Sequence, residues 1–296
     1  MVAMAKRNRE SFTARLARRR SWVQAAFLLV WLDPFMLRLH QVCSPVFHCY
    51  SCPLATFACP IGVLANFSAL HVFPFFAIGL LVVVGAAVGT FLCAWACPFG
   101  FLQDLIGKIP TPKFVLPAWT GYTRYVVLIV TVGMVPYLWG EEHALFFCRL
   151  CPAGAIESGL VDTAQQAIAG DTLVWPSTVK LVIVGLFLVA MFFTWRPWCR
   201  LFCPLGAIYG LFNRVSMLFL RYNSEECNAC GRCDRLCKYD VLPDPGLNVS
   251  RCIRCLDCTQ CRAISLASVV GSPDRTPAGT KPGTDPAKSD SGPQQT

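Results

Sequence analysis

The chain has 296 residues, of which 55% are hydrophobic and 15% are charged, and its mean hydropathy is +0.50. Soluble domains carry about 25% charged residues, and no Asp, Glu, Lys or Arg occurs between Arg38 and Asp104. This composition excludes an ordinary soluble domain and predicts an integral membrane protein, because a bilayer requires long uncharged helices.

The first 21 residues form a predicted basic, cytoplasmic N-terminus. Seven of the 26 basic residues precede the first apolar run: Lys6, Arg7, Arg9, Arg15, Arg18, Arg19 and Arg20. Basic residues beside a first membrane span mark the cytoplasmic side, which explains the net charge of +9 better than a nucleic-acid partner does. We therefore expect a retained first span and no binding of nucleic acid.

Apolar segments predict four transmembrane helices, at residues 22–39, 68–93, 120–139 and 176–195. They define a membrane domain over residues 22–203. The loop between the third and fourth segments is acidic and includes Glu141 and Glu142, whereas Lys108, Lys113 and Arg196 flank the opposite ends. The charge distribution thus predicts a multi-pass protein of the inner, or cytoplasmic, membrane with both termini in the cytoplasm.

A four-residue motif, C-P-x-G, recurs in the membrane domain. Its copies begin at Cys59, Cys97, Cys151 and Cys203, with upstream cysteines at Cys52, Cys93, Cys148 and Cys199. An outer copy, a span and an inner copy follow one another twice, which predicts two repeated helical hairpins.

The inner pairs, Cys93/Cys97 and Cys199/Cys203, have a spacing of four residues, so each pair can share a helix face. Pro98 and Pro204 suit the first position of a helix capped by the preceding cysteine. The four sulfurs could hold a further iron–sulfur cluster, form a redox dithiol relay, or be buried structural thiols. The outer cysteines leave disulfides open beside a redox or metal function: Cys43, Cys49, Cys52, Cys59, Cys148 and Cys151.

After the membrane domain, residues 204–222 have apolar positions at helical spacing and predict an amphipathic helix on the inner membrane surface. A cysteine-rich domain is predicted for residues 223–267. The remaining residues, 268–296, are rich in Pro, Gly, Ser, Asp and Lys and predict a disordered tail.

Two runs of four cysteines dominate the C-terminal domain and predict two 4Fe-4S clusters. Bacterial ferredoxins place three ligands at x2 spacing, and the fourth cysteine of each run binds the other cluster. The first predicted set is Cys227, Cys230, Cys233 and Cys261, and the second is Cys252, Cys255, Cys258 and Cys237. Lys238 and Arg262 replace the usual proline after each run. Zinc is the alternative, disfavoured because no histidine lies nearby.

Quinol oxidation would need proton acceptors at an aqueous boundary. Candidates near the predicted outer ends are His40, His71, Glu141, Glu142 and His143, and Asp33 interrupts the first span. Ordinary placement at the membrane interface is the alternative for each. The four histidines, which include His48, all lie near span ends, so no membrane b-haem is predicted.

These motifs give the chain a resemblance to the NapH/MauN family of ferredoxin-type membrane proteins, and to the membrane core of NosR. The resemblance covers about residues 20–265 and is most specific at Cys93-x3-Cys97-Pro98, Cys199-x3-Cys203-Pro204 and the C-terminal runs. It implies a quinol dehydrogenase or electron-delivery subunit of a respiratory or amine-oxidising system, which needs a partner redox protein and is not a complete enzyme alone. A redox-sensing or metalloenzyme-maturation protein is the alternative, and metal transport through the thiols is a third hypothesis.

Overall fold

A computed structural model describes residues 2–32, 59–114, 116–156, 178–228, 230–239, 241 and 247–269. Several predictions lie outside these residues, namely those for Asp33, His40, Cys43, His48, Cys49, Cys52 and the tail beyond Val269.

Among the described residues, the first half of the helical region contains five helices. A long N-terminal helix, α1, is followed by four shorter helices, each starting at or near a proline or glycine. Their bounds are α1 Val2–Leu32, α2 Pro60–Ala69, α3 Phe75–Val88, α4 Phe91–Trp95 and α5 Pro98–Gly107.

The second half repeats this order of short and apolar helices. The helix α6, Trp119–Trp139, contains a π-helical stretch over Leu128–Met134. The helices that follow are α7 Phe147–Leu150, α8 Pro152–Gly154, α9 Thr178–Phe193, α10 Pro197–Leu201 and α11 Pro204–Phe212.

The two halves pack reciprocally. Helix α11 of the second half lies against α3 of the first, and α5 of the first lies against α9 of the second. Glycines permit both approaches: a Cβ on Gly85 would meet the Phe212 ring at 2.6 Å, and one on Gly107 would meet the Trp195 ring at 2.7 Å. This exchange of contacts is the arrangement expected of two related halves.

The C-terminal domain rests on two antiparallel strands, β1 (Leu218–Tyr222) and β2 (Ile264–Ser268), with a short helix, α12 (Arg232–Leu236), between them. The predicted amphipathic helix over 204–222 was therefore too long. Its helical part ends at Phe212, and Asn213, which suggested a solvent-facing side, is completely buried. Strand β1 belongs to the cysteine-rich domain because its only strand neighbour among the described residues is β2.

One helix among the described residues, α6, is both long and apolar enough to cross a membrane. Three shorter apolar helices accompany it, α2, α3 and α9. The helical fold agrees with the sequence analysis, while the prediction of four transmembrane helices stays a prediction.

Candidate electron-transfer site

Helix caps position the two inner cysteines of the C-P-x-G motifs. Cys97 caps α5 and its Sγ accepts a hydrogen bond from the Gly100 amide at 3.3 Å. Cys203 caps α11 in the same way, accepting from the Gly206 amide at 3.4 Å. Proline follows each cap in the first turn, where its missing N–H costs no helical hydrogen bond. The predicted caps are confirmed.

The four inner cysteines converge from the two halves into one group, which we call the inner thiol group: Cys93, Cys97, Cys199 and Cys203. Burial raises the pKa of the Cys203 thiol well above its ordinary value, and nearby Cys199, Cys93 and Cys97 raise it further. Each thiol therefore lies within electrostatic range of the others. Such a cluster strongly disfavours four free thiolates, and a bound metal centre would relieve the repulsion.

Equivalent side chains approach the inner thiol group from each half. Gln103 and Tyr209 each lie six residues after the capping cysteine of their own half. Gln103 Nε2 donates to Cys199 Sγ of the other half at 3.2 Å. Burial raises the pKa of Tyr209, and Cys93 of the other half adds to this effect. Each half thus contributes, at the same position after its motif, a polar side chain that acts on a cysteine of the other half.

A buried ionic network lies beside the inner thiol group. Arg196, fully buried, donates from Nε to Asp104 Oδ1 at 2.7 Å and from an Nη to the Cys93 carbonyl at 2.8 Å. Arg20 of α1 donates to the same carboxylate at 3.0 Å and lies 3.6 Å from Asp257 of the cysteine-rich domain. Burial by itself would raise the pKa of Asp104, but Arg196 and Arg20 outweigh it and lower that pKa. The network joins three parts of the chain through charge.

The C-terminal cysteines fall into two groups in the structure. Burial raises the pKa of Cys258, and Cys255, Cys252 and Cys237 raise it further. Burial also raises the pKa of Cys233, where the neighbouring thiols are Cys261 and Cys227. The fourth cysteine of each run therefore lies with the other run, as in the predicted crossed sets. Ligation itself stays a prediction.

The donor chemistry of both C-terminal groups fits a 4Fe-4S cluster, for which all-thiolate ligation is usual. Five of these cysteines line one mainly apolar cavity: Cys233, Cys237, Cys252, Cys255 and Cys258. Within the part of the chain that is described, no three Cys, His, Asp or Glu side chains are spaced to share a single ion.

The loops of the two runs use the same backbone geometry. The residue after the second cysteine has a left-handed conformation in both, with φ of 62° at Gly231 and 65° at Leu256. Glycine adopts this conformation without cost, whereas the buried Leu256 needs its packing to compensate. Leu256 is fully buried in a core shared with Ala94 and Trp95 of α4. The second loop is therefore packed against helix α4 of the first half.

Asn213 fixes that second loop to both halves. Its Nδ2 donates to the Cys252 carbonyl at 2.7 Å, and its Oδ1 accepts from the Thr90 hydroxyl at 2.9 Å. Thr90 can equally donate to the Cys252 carbonyl, at 2.7 Å, and Arg254 Nη donates to the Asn213 carbonyl at 2.7 Å. These contacts hold the second cysteine group against the helices that carry the inner thiol group.

The described outer cysteines, Cys59, Cys148 and Cys151, form a second set of helix-associated thiols. Cys59 caps α2 and Cys151 caps α8. A Cβ on Gly62 would lie 3.5 Å from Cys59 Sγ and 3.8 Å from Cys148 Sγ, so these two thiols face one small space.

A buried aromatic cluster connects the surroundings of the outer cysteines with those of the inner thiol group. The Trp198 ring lies 6.1 Å from the Phe147 ring and 6.4 Å from the Phe99 ring, between centroids. Phe147 precedes Cys148 in the chain, and Trp198 precedes Cys199. Continuous ring contacts therefore connect the neighbourhoods of the outer and inner cysteines.

The predicted proton acceptors do not join the inner thiol group. His71 lies beside Tyr137, with ring centroids 4.4 Å apart. His143 stacks on Trp139 at 5.4 Å, and Glu141 and Glu142 are exposed just before it. These side chains lie where α6 ends and where α2 turns into α3.

Sequence analysis missed three residues of the site. Arg20 was assigned to the basic flank, yet it is buried and ion-paired. Lys238, which replaces the usual proline, places Nζ 4.2 Å from the Trp195 ring centroid and so links the domain to the end of α9. The third is Asn213. Of these three residues, only Asn213 had a signal in the sequence, because it is a polar residue within an apolar run.

Comparison with known proteins supports iron–sulfur binding independently of the geometry. A family model described as a 4Fe-4S binding domain matches residues 70–117 and 177–221. Both matched stretches contain a C-x3-C-P motif of the inner thiol group rather than the C-terminal cysteine runs. No solved structure matches the chain.

Several curated proteins are similar in sequence. Uncharacterized protein MJ0750 of Methanocaldococcus jannaschii is 30% identical over 64% of this chain and 75% of its own length. YccM of Escherichia coli, whose name assigns it provisionally to electron transport, is 28% identical over 68% of this chain and 56% of its own. The methylamine utilization ferredoxin-type protein MauN of Methylorubrum extorquens is 27% identical over 66% and 60%. The chain belongs to the MauN/NapH-type family of ferredoxin-like, iron–sulfur electron transport proteins.

Proposed function

We propose that this chain is a membrane-bound electron-transfer subunit that passes electrons between the quinone pool and a partner redox protein. The observation that carries the proposal is the convergence of Cys93, Cys97, Cys199 and Cys203 beside the cysteine-rich domain. Three groups of four thiols within one connected interior suit successive one-electron steps.

Exposed apolar side chains support the membrane location. Val83 of α3, Ile129 of α6 and Leu186 of α9 are each about two-thirds exposed, at 65%, 66% and 66%. Exposed apolar surface of this extent marks contact with lipid or protein. The distribution of loop charges favours a multi-pass protein of the inner membrane with both termini in the cytoplasm.

The chain's own residues would hold two 4Fe-4S clusters in the crossed sets named above. Such a cluster, when bound, supplies reversible one-electron transfer at a potential set by charge, hydrogen bonds and exposure. Asn213 and Thr90 fix the Cys252 carbonyl, and the Val241 amide donates to Cys237 Sγ at 3.4 Å. The Val241 amide would stabilise the Cys237 thiolate, whereas the bonds to the Cys252 carbonyl hold the backbone of the second set against the helices.

The two C-terminal sets differ in exposure, which suggests an order of transfer. Cys230 is exposed, whereas Cys252, Cys255 and Cys258 pack against the core around Leu256. The second set therefore lies against the core, and the first set reaches solvent at Cys230. A partner redox protein would exchange electrons at the surface around Cys230.

The proposed reaction balances with quinol as the reductant. Oxidation of one quinol breaks two O–H bonds and gives one quinone, two protons and two electrons. The electrons would leave singly through the thiol-bound centres, and the protons would pass to water through side chains at the boundary. Reversing each step would reduce the quinone instead.

Anaerobic purification followed by potentiometric EPR tests the proposal. We expect about eight iron atoms per chain for the two C-terminal clusters, about twelve if the inner thiol group holds a third, and reduction of the signals by a quinol analogue. The variant Trp119→Phe, at an exposed ring, serves as a control for purification and handling. Zinc-loaded, colourless protein, or iron signals that quinol never reduces, would refute this function.

A further inference from the structure

A cavity of about 410 Å³ lies where α2 turns into α3, against the second half of α6. Its volume is in the range of small-molecule sites. Most of its described lining residues are apolar, among them Leu64, Phe67 and Val132, while Ser68, His71 and Tyr137 supply polar atoms. The cavity is therefore suited to a flat apolar molecule with few polar atoms.

Two backbone irregularities border this cavity. His71 has φ of 56°, in the left-handed region that non-glycine residues rarely adopt. The opposite wall, around Leu128 and Gly133, belongs to the π-helical stretch of α6. Both features concentrate at ligand sites because binding repays their local cost. The Ser68 hydroxyl donates to the Gly133 carbonyl at 2.8 Å and holds the two walls together.

The mouth of the cavity is apolar and exposed. Val72, Phe73 and Phe75 are 53%, 58% and 77% exposed, and the turn 70–76 contains no charged residue. Water is a poor solvent for such a rim, whereas the acyl chains of a bilayer would cover it. A ligand would thus enter from the lipid phase.

We propose that this cavity binds the ring of an isoprenoid quinone, an inference that rests on the electron-transfer role proposed above. The imidazole of His71 and the ring of Tyr137 lie side by side in the lining, with their centroids 4.4 Å apart, and the imidazole and the tyrosine hydroxyl can both hydrogen-bond to the one quinone or quinol oxygen that faces them. The apolar walls pack against the ring, and the isoprenoid tail leaves through the Phe73–Phe75 rim into lipid.

Helix α2 connects this site to the cysteines. Ser68 and Phe67 line the cavity near the end of α2, and Cys59 caps its start. Ser68 is nine positions after Cys59, so the two lie about 14 Å apart along the helix axis at 1.5 Å per residue. The quinone ring and the outer cysteines are therefore held by one short helix.

Photolabelling of the full chain in lipid nanodiscs with an azido-quinone tests the inference. We expect labelled peptides from 64–78 and 128–137. Gly133→Leu should lower labelling more than about tenfold, because a Cβ there meets nothing within 4 Å and the side chain can extend into the cavity. Gly185→Leu is the matched control: it lies on an apolar helix, also with nothing within 4 Å of a Cβ, and should label as the unchanged chain does.

Tyr137→Phe keeps the ring and removes the hydroxyl, so labelling affinity should fall about three- to tenfold through loss of one hydrogen bond. Unchanged iron signals in both variants would show that folding is intact. Labelling elsewhere, equal labelling of Gly133→Leu and Gly185→Leu, or displacement of the probe by phospholipid alone would overturn the site. Continued quinol reduction of the iron signals in Gly133→Leu would also overturn it, yet would leave the electron-transfer role standing. Wild-type clusters that no quinol reduces would refute the role itself.

Discussion

The inner thiol group and the C-terminal cysteine sets both bring four thiols together, but they do so by different structural means. The inner group takes two cysteines from each half, and its geometry depends on helix caps at Cys97 and Cys203. The C-terminal sets depend mainly on short loops, with left-handed residues at Gly231 and Leu256. The first arrangement exists only after the halves meet, whereas most of the second is encoded locally. We therefore expect substitutions in the two regions to fail differently.

The largest expected difference concerns iron content and electron flow. Cys258→Ser should remove one C-terminal EPR signal and about four iron atoms per chain, because it takes a ligand from one cluster. Cys203→Ser should leave both C-terminal signals but block their reduction by quinol. Iron analysis and EPR on the same preparations separate the outcomes. Loss of both C-terminal signals in Cys203→Ser would contradict the distinction between the regions.

The second-largest effect is expected for substitutions in the ionic network between the two regions. Asp104→Asn removes the carboxylate between Arg196 and Arg20, which are 0% and 8% exposed. Leaving buried charges without a counter-charge costs about 3–5 kcal/mol, measurable as a lower midpoint of thermal unfolding in detergent. Glu225→Gln, at an exposed position, should change the midpoint little. Equal midpoints for the two variants would show that the network contributes nothing to stability.

The same carboxylate predicts a dependence on pH. Its pKa in the folded chain is lowered below the ordinary 3.8, so the unfolded chain takes up the proton first as pH falls. The stabilisation by Asp104 should be complete above the ordinary pKa and should decline as pH drops through the lower, folded value. Asp104→Asn should lack this component of the acid transition, which unfolding measured over a pH series can resolve.

A smaller loss of stability is expected when a Cβ is added at Gly89, where the two regions are in close contact. Gly89 has φ of 56°, and a Cβ there would lie 2.7 Å from Asn213 Oδ1. Gly89→Ala should therefore destabilise the chain by about 1–3 kcal/mol through backbone strain and displacement of Asn213. Gly121→Ala, where a Cβ meets nothing within 4 Å, provides the comparison. A shift in Gly121→Ala as large as that in Gly89→Ala would argue against this contact.

The smallest expected effect belongs to Lys238. Its contact with the Trp195 ring is worth about 0.5–1 kcal/mol, and Lys238→Met should lower the unfolding midpoint slightly. Lys238→Arg should restore it, because the guanidinium also stacks on aromatic rings. Failure of the arginine to restore stability would indicate that packing of the lysine stem matters more than its charge.

The parts of the site that depend on residues close together in the sequence could be predicted. The C-P-x-G motif predicted the caps at Cys97 and Cys203 because proline and a capping residue act within one turn. It could not assign Arg20 or Asn213, whose hydrogen-bond partners lie 84 and 123 residues away, at Asp104 and Thr90. Strand β1 was predicted as helix for the same reason, since its partner β2 lies more than forty residues later. An apolar run alone does not distinguish a strand from a helix.

The hydrogen bonds of Asn213 have a consequence for biogenesis. One amide group touches Thr90 from the first half and Cys252 from the C-terminal loop, while its own backbone follows a helix of the second half. The complete set of these hydrogen bonds can form only when the two halves are paired. A substitution that prevents the pairing is therefore expected to leave the C-terminal loop without this support as well.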